Sequence, residues 1–373
     1  MKYQSKLFKA FGILLIAALL FVTLPVGEAM AVTADLYVDD DFTSTTPGWG
    51  TTHFSSILEA INVANTGDII EVADGTYSPS TTETDDPITD GLFTIDKPMT
   101  IKAAVGALPV IDGSGINGIF KIWHSNDAFS GGEVVIEGFD LVGDRTTGIA
   151  ITAAMCATVD TTKIILRNNL FHGMVGGFDA WGSGFCTDPG QEPRAENIEI
   201  TGNEFYNLGI SGVQQGFGIL LEGLSSWSEA GDTFAAVVEN NTFHDIYDES
   251  SSNLGGAIAL EMPTAASPRP GNAKISGNIF DSGVSLNIGI FAGDVNATEI
   301  SGNKFNNTGY GVYNTVASPV NASPNWWGSM YGPTSGQIVG DVDYVPWCGD
   351  AGCTFFLPDE NNVVDMSGTI NEL

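Results

Sequence analysis

Positive charge is scarce in this chain of 373 residues, which has 13 Lys and Arg against 45 Asp and Glu. The resulting net charge of -32 leaves no basic surface to neutralise phosphates, so nucleic acid is excluded as a natural partner. Histidine and cysteine are equally sparse, with four of each. No His stands near Cys348 and Cys353, which argues against a zinc site there. The longest apolar run, Phe11 to Leu24, follows Lys2, Lys6 and Lys9 and precedes Ala29-Met30-Ala31. That order predicts a secretory signal peptide over 1–31, with an uncleaved N-terminal anchor as the alternative. Removing it leaves 10 basic against 44 acidic residues, a charge of -34. A secreted, extracellular or cell-surface protein is therefore expected.

What the chain has in abundance is repetition. Arg167-Asn168-Asn169-Leu170-Phe171, Thr201-Gly202-Asn203-Glu204-Phe205, Glu239-Asn240-Asn241-Thr242-Phe243, Ser276-Gly277-Asn278-Ile279-Phe280 and Ser301-Gly302-Asn303-Lys304-Phe305 are versions of one corner. Ser323-Pro324-Asn325-Trp326-Trp327 is an altered sixth. The Asn positions lie 34, 38, 37, 25 and 22 residues apart, which is one turn of a solenoid with loops of variable length. Asn tolerates left-handed dihedrals and can hydrogen-bond neighbouring peptides. Asn169, Asn203, Asn241, Asn278, Asn303 and Asn325 are accordingly read as a structural ladder at a bend, with the following aromatic pointing inward.

A second register runs through Gly148-Ile149, Gly184-Phe185, Gly218-Ile219, Ala257-Ile258, Gly289-Ile290 and Gly311-Val312. Together the registers predict three short strands per turn: an all-β, single-stranded right-handed parallel β-helix of about nine or ten coils at ~4.8 Å each. It is expected over 67–347. Residues 32–66 supply an N-terminal strand and an amphipathic helix, Phe54 to Ala64, to cover the first coil. Residues 348–373 form a C-terminal loop and tail without a repeat. Thr354-Phe355-Phe356-Leu357 and the apolar stretch around Val364 either cap the solenoid or donate a strand to the next subunit, giving head-to-tail self-association. Four Cys permit two disulfides: Cys348 with Cys353 can close locally, and Cys156 with Cys186 can staple adjacent loops.

Leu36-Tyr37-Val38-Asp39-Asp40-Asp41, the helix, Gly67-Asp68-Ile69-Ile70-Glu71-Val72 and Gly75-Thr76-Tyr77 resemble the opening of secreted right-handed parallel β-helix surface proteins with the pectin-lyase-like fold. Asn325-Trp326-Trp327-Gly328, Gly332-Pro333 and Val342 to Trp347 are similar to their closing coil. The resemblance implies fold; the fold hosts lyases, hydrolases, adhesins and non-catalytic proteins alike. Lyases of this kind use Arg or Lys as base, yet Arg145, Arg194 and Arg269 fall in turns and polar loops, and Arg167 faces outward before a bend. Asp85-Asp86 lies in a Thr-rich loop and matches no hydrolase pair. His172 and His244 follow the Phe in their repeats and read as stacked neighbours on the coil surface.

Insertions gather at Gly173 to Ala195, Leu224 to Thr233, Ile246 to Leu254 and Met262 to Asn272. They carry Asp179, Trp181, Trp227, Glu229, Asp248 and Glu249, an acidic and aromatic mixture suited to sugar rings and hydroxyls. Asp39, Asp40 and Asp41 are candidate metal ligands, with calcium as the candidate cofactor. The expectation is a non-catalytic surface protein that binds polysaccharide or cell-envelope glycan, or builds an extracellular assembly. The alternative is a polysaccharide lyase or glycoside hydrolase working beside the inserted loops.

Overall fold

The computed structural model describes residues 33–79, 93–116, 118–125, 131–144, 148–157, 162–181, 192–193, 197–209, 216–222, 234–247, 256–261, 273–281, 288–292, 298–306, 309–314 and 319–357. Its contacts divide the chain into Met1–Ala34 and Asp35–Leu373, and the fold described is that of the second unit. The expected signal peptide and Asp85-Asp86 lie outside the described residues.

The strands fall in turn into three parallel sheets. One circuit runs from Lys163–Arg167 in the first sheet to Leu170–His172 in the second and Gly176–Trp181 in the third. It then re-enters the first sheet at Ile198–Thr201, which pairs parallel with Lys163–Arg167. This is an all-β parallel solenoid. Among the described residues the first sheet has 12 strands and the second 8; the third has 10, including Glu192–Pro193, which pairs antiparallel with Cys156 and Ala157. Period-two alternation sets the faces: in Ile198–Thr201 the two Ile are buried while Glu199 and Thr201 are half-exposed.

From Gly138-Phe139 onward the corner between the first and second sheets takes two residues, and its Asn column is hydrogen-bonded throughout. Oδ1 of Asn203 accepts from the backbone N of Asn169 at 2.9 Å and from its Nδ2 at 3.1 Å. Asn241 does the same for Asn203, Asn303 for Asn278, and Asn325 for Asn303. Each Nδ2 also reaches a strand carbonyl of the preceding coil, as from Asn203 to Leu166 at 2.9 Å. The left-handed dihedral, however, belongs to the residue before the ladder Asn: Asn168, Gly202, Asn240, Gly277 and Gly302 have φ between 57° and 68°. The ladder Asn thereby keeps ordinary backbone geometry and turns its amide into the core, where burial rewards full satisfaction.

Inside the next strand, Phe171, Phe205, Phe243, Phe280, Phe305 and Trp327 stack with centroids 4.5 to 5.2 Å apart, close to the coil spacing. Two glycines of the third sheet make room for them. A Cβ on Gly177 would lie 2.6 Å from the Phe205 ring, and one on Gly218 would lie 2.8 Å from Phe243.

Two details differ from the sequence reading, and a third agrees with it. The helix spans Ile57–Val63, because Phe54 belongs to the strand His53–Phe54 that pairs with Leu36–Val38; Ile57, Ala60 and Ile61 are its buried face. The strand continuing the circuit after Phe171 is Gly176–Trp181 and not Gly184-Phe185, which lies outside the described residues. Gly176 pairs with Phe217 and Phe178 with Ile219, so the insertion follows this strand and does not precede it. At the C-terminal end, Phe356–Leu357 folds back antiparallel onto Trp347–Cys348, and the Cys348–Cys353 disulfide closes the turn between them. The backbone of Cys156 is in strand Ile149–Ala157, while Cys186 lies outside the described residues.

Candidate functional site: the outer face of the third sheet

Surplus chain is placed unequally. From Gly138-Phe139 onward the first and second sheets are joined by two residues, as at Asn168-Asn169 and Gly202-Asn203. In the middle of the chain the long connections border the third sheet: 182–197, 223–235 and 262–272 leave its strands, and 209–216 and 247–255 enter them. The face that this sheet turns away from the core is therefore the one a ligand meets among the most variable parts of the chain.

One row of that face is defined by register. Lys121 pairs with Thr152, Thr152 with Asp179, and Asp179 with Leu220. Their strand neighbours Phe120, Ile122, Ile151, Ala153, Phe178, Ala180, Ile219 and Leu221 all belong to the core, so the row faces outward. Lys121 and Asp179 are nonetheless only 4 % and 7 % exposed, whereas charged groups at a sheet surface ordinarily reach water. Beyond them the row becomes apolar. Leu220 and Ala259 join Val175 and Phe217 in a buried cluster outside the main core, with Ile149 and Tyr313 packed against it. Two residues further along the strands, the backbones of Trp123, Ala154 and Trp181 are in register.

The sequence-predicted residues distribute as follows. Asp179 is in this row, and Trp181 is at its rim, with a side chain outside the described residues. Trp227, Glu229, Asp248 and Glu249 lie outside the described residues altogether. Lys121 was not singled out from the sequence; the available signal was a lone Lys alternating with core residues in Phe120-Lys121-Ile122. Arg167 pairs with Glu137 at 2.9 Å on the outer face of the first sheet, away from this row, and Arg145, Arg194 and Arg269 lie outside the described residues.

Asp39, Asp40 and Asp41 bring one carboxylate oxygen each to within 4.8 Å of one another. Asp39 already accepts from the backbone N of Asp41 and Asp40 from that of Thr76. With one oxygen from each carboxylate, backbone carbonyls or waters would have to supply the rest of the six to eight oxygens that calcium takes. Its charge is felt at Tyr77: burial first, opposed by a backbone hydrogen bond at Asp40 and aided by the charges of Asp40, Asp39 and Asp74, pushes its hydroxyl up to about 12.

His172 and His244 are not direct neighbours. Tyr206 is stacked between them, 4.7 Å from His172 and 5.2 Å from His244, because the repeat carrying Phe205 intervenes. This stack lies on the outer face of the second sheet. His172 Nε2 is 2.6 Å from Asp140.

Among the described residues, no helix is long and apolar enough to cross a membrane. No family model matches the chain, and no curated protein matches it. Among solved structures, the crystal structure of an alginate lyase from Paenibacillus sp. str. FPU-7 is similar over 77 % of this chain and 96 % of that one, with 15 % identity and a TM-score of 0.38.

Proposed function

We propose that this is an extracellular polysaccharide-binding solenoid that lays a sugar chain along the outer face of its third sheet. The observation that carries the reading is the row Lys121, Thr152, Asp179 and Leu220, on the sheet whose strands Gly176–Trp181 and Phe217–Glu222 are followed by the long connections 182–197 and 223–235. A parallel solenoid offers a straight face of equally spaced positions, which matches an extended polymer better than a compact ligand. Lys121, Thr152 and Asp179 carry donors and acceptors of the kind that hydroxyls need. The net charge of -32 opposes long polyanions at low ionic strength, so neutral chains are the favoured ligands. The apolar N-terminal run and the Cys348–Cys353 disulfide support an extracellular setting.

A lyase or hydrolase acting on the same face is the second reading. It is favoured by one feature: an amine and a carboxylate, both largely withdrawn from water, stand either side of Thr152. Burial of such groups is how proteins tune acids and bases for proton transfer.

The test is a glycan array with neutral and acidic polysaccharides, run on the wild type, Lys121→Ala and Asp179→Asn, with product assays for new unsaturated and reducing ends. Binding lost in both variants while the fold persists supports the site, and product formed by the wild type alone moves the reading to catalysis. Absence of any retained glycan overturns it.

A further inference from the structure

Both ring nitrogens of His244 face carboxylates. Nε2 is 2.9 Å from Oε1 of Glu204 on the preceding coil, and Nδ1 is 2.9 Å from Oδ2 of Asp245. A carboxylate only accepts hydrogen bonds and a neutral imidazole carries one N–H, so the uncharged ring can satisfy one of these contacts and must set a lone pair against the other. Only the imidazolium donates to both. Its ring also lies flat on Tyr206, at 8° between planes, which adds a cation–π contact when the charge is present.

Asp245 occupies an unusual backbone position. Its φ is 54°, in a column of bends where Asn207 has 56° and Gly173 has 68°. The left-handed region costs an Asp more than a Gly, and the Asp at this bend is the one whose carboxylate His244 contacts. The bend then feeds the third sheet directly. Ile246 is fully buried, Tyr247 N donates to Leu208 O at 2.8 Å, and Gly216 N donates to Tyr247 O at 2.7 Å, just before the strand Phe217–Glu222.

We infer that His244 is a proton-operated brace: charged, it ties Glu204 of one coil to the bend at Asp245 and fixes the entry of the strand Phe217–Glu222; neutral, it releases one of the two ties. The charged and titratable groups around it agree. Glu204 and Tyr206 face it from the preceding strand, Asp281 lies on the following strand, and Asp245 is on its own. Asp140 and His172 lie beyond Tyr206, and Lys304 is two strands away. Burial works against the charge, but the hydrogen bonds to Asp245 and Glu204 outweigh it and raise the His244 pKa above 6.5. Burial, aided by Asp140 and Glu204, raises the Tyr206 hydroxyl pKa above 10, so that ring remains a neutral stacking surface throughout. The inference is independent of whether the third sheet binds polysaccharide.

The experiment is a pH series read by NMR, following the His244 ring and the exchange protection of the Gly216 amide after correction for intrinsic exchange. In the wild type the His244 midpoint is expected above 6.5, and Gly216 protection should fall severalfold as pH rises through that midpoint. His244→Gln should give low protection with no such step. Should that variant fail to fold, Asp245→Gly removes one tie while relaxing the bend, and should likewise flatten the profile. A Gly216 protection that stays constant across the series in the wild type, a His244 midpoint at or below 6.5, or an undiminished step in the folded variants would each overturn the brace.

Discussion

Asn278 Oδ1 accepts two hydrogen bonds from Asn241, one from its backbone N at 2.9 Å and one from its Nδ2 at 3.0 Å. The same amide of Asn241 also donates to the carbonyls of Ile200 and Glu239, while its oxygen accepts from Asn203. One side chain therefore satisfies groups on three successive coils.

Asn241→Ala strands several buried partners at once. Each lost partner of a buried polar group costs roughly 1–3 kcal/mol, so a drop of at least about 2 kcal/mol is expected. Urea unfolding would measure it, and a value near that of an exposed-loop substitution would contradict the accounting.

Gly218→Ala tests the close approach beside the Phe stack. The added methyl would sit 2.5 Å from the carbonyl of Ala257 and 2.8 Å from the Phe243 ring, both fixed by packing. Overpacking of this kind costs about 1–3 kcal/mol. Gly50→Ala, where a Cβ meets nothing within 4 Å but φ is 70°, should show only the smaller backbone cost. Thermal melts of the two variants give the comparison.

Glu239 carries a pH-dependent contribution of the opposite sign to that of His244. The hydrogen bond from Lys274 at 2.6 Å, opposed by burial and aided by Ser276, lowers its pKa below 4.5. A carboxylate depressed in the folded state contributes stability that is present above the unfolded pKa and lost as pH falls through the folded one. Both groups are partly exposed, so the effect is less than about 1 kcal/mol. Lys274→Met should leave stability little changed at pH 3 and lower it slightly at pH 6, as read from paired denaturation curves.

Glycan retention should respond to salt according to the ligand's charge. With a protein charge of -32, binding of an acidic polysaccharide should strengthen from low to moderate ionic strength as repulsion is screened, and binding of a neutral one should not move. Affinity electrophoresis at several salt concentrations distinguishes the two; acidic chains that bind most tightly at low salt would contradict the electrostatic argument.

Reducing the Cys348–Cys353 disulfide should free only the end of the chain. It closes a separation of 5 residues and secures the pairing of Trp347–Cys348 with Phe356–Leu357. Loss of that pairing with an unchanged main unfolding transition is expected in calorimetry and hydrogen exchange. A collapse of the main transition would place the hairpin in the core's cooperative unit.

The repeated Asn and the aromatic two residues later determined the parallel solenoid by themselves, because backbone pairing between coils requires like residues to meet at a constant register. Asn203, Phe205 and Glu204 could be placed in the core or on the surface from period-two alternation alone. Other facts needed three dimensions. That the left-handed bend falls on Asn168 and Asn240 depends on where the ladder amide must point, whereas Tyr206 between His172 and His244 follows from the order of the repeats. The insertion after Trp181 hid the strand Gly176–Trp181, since a long connection breaks the spacing on which periodicity rests. Lys121 and Asp179 stand 58 positions apart in the chain and flank one threonine only because three successive strands of the third sheet bring them into a single row. Sequence spacing carries the repeat; the lateral juxtaposition of unlike residues from different coils is settled by tertiary register.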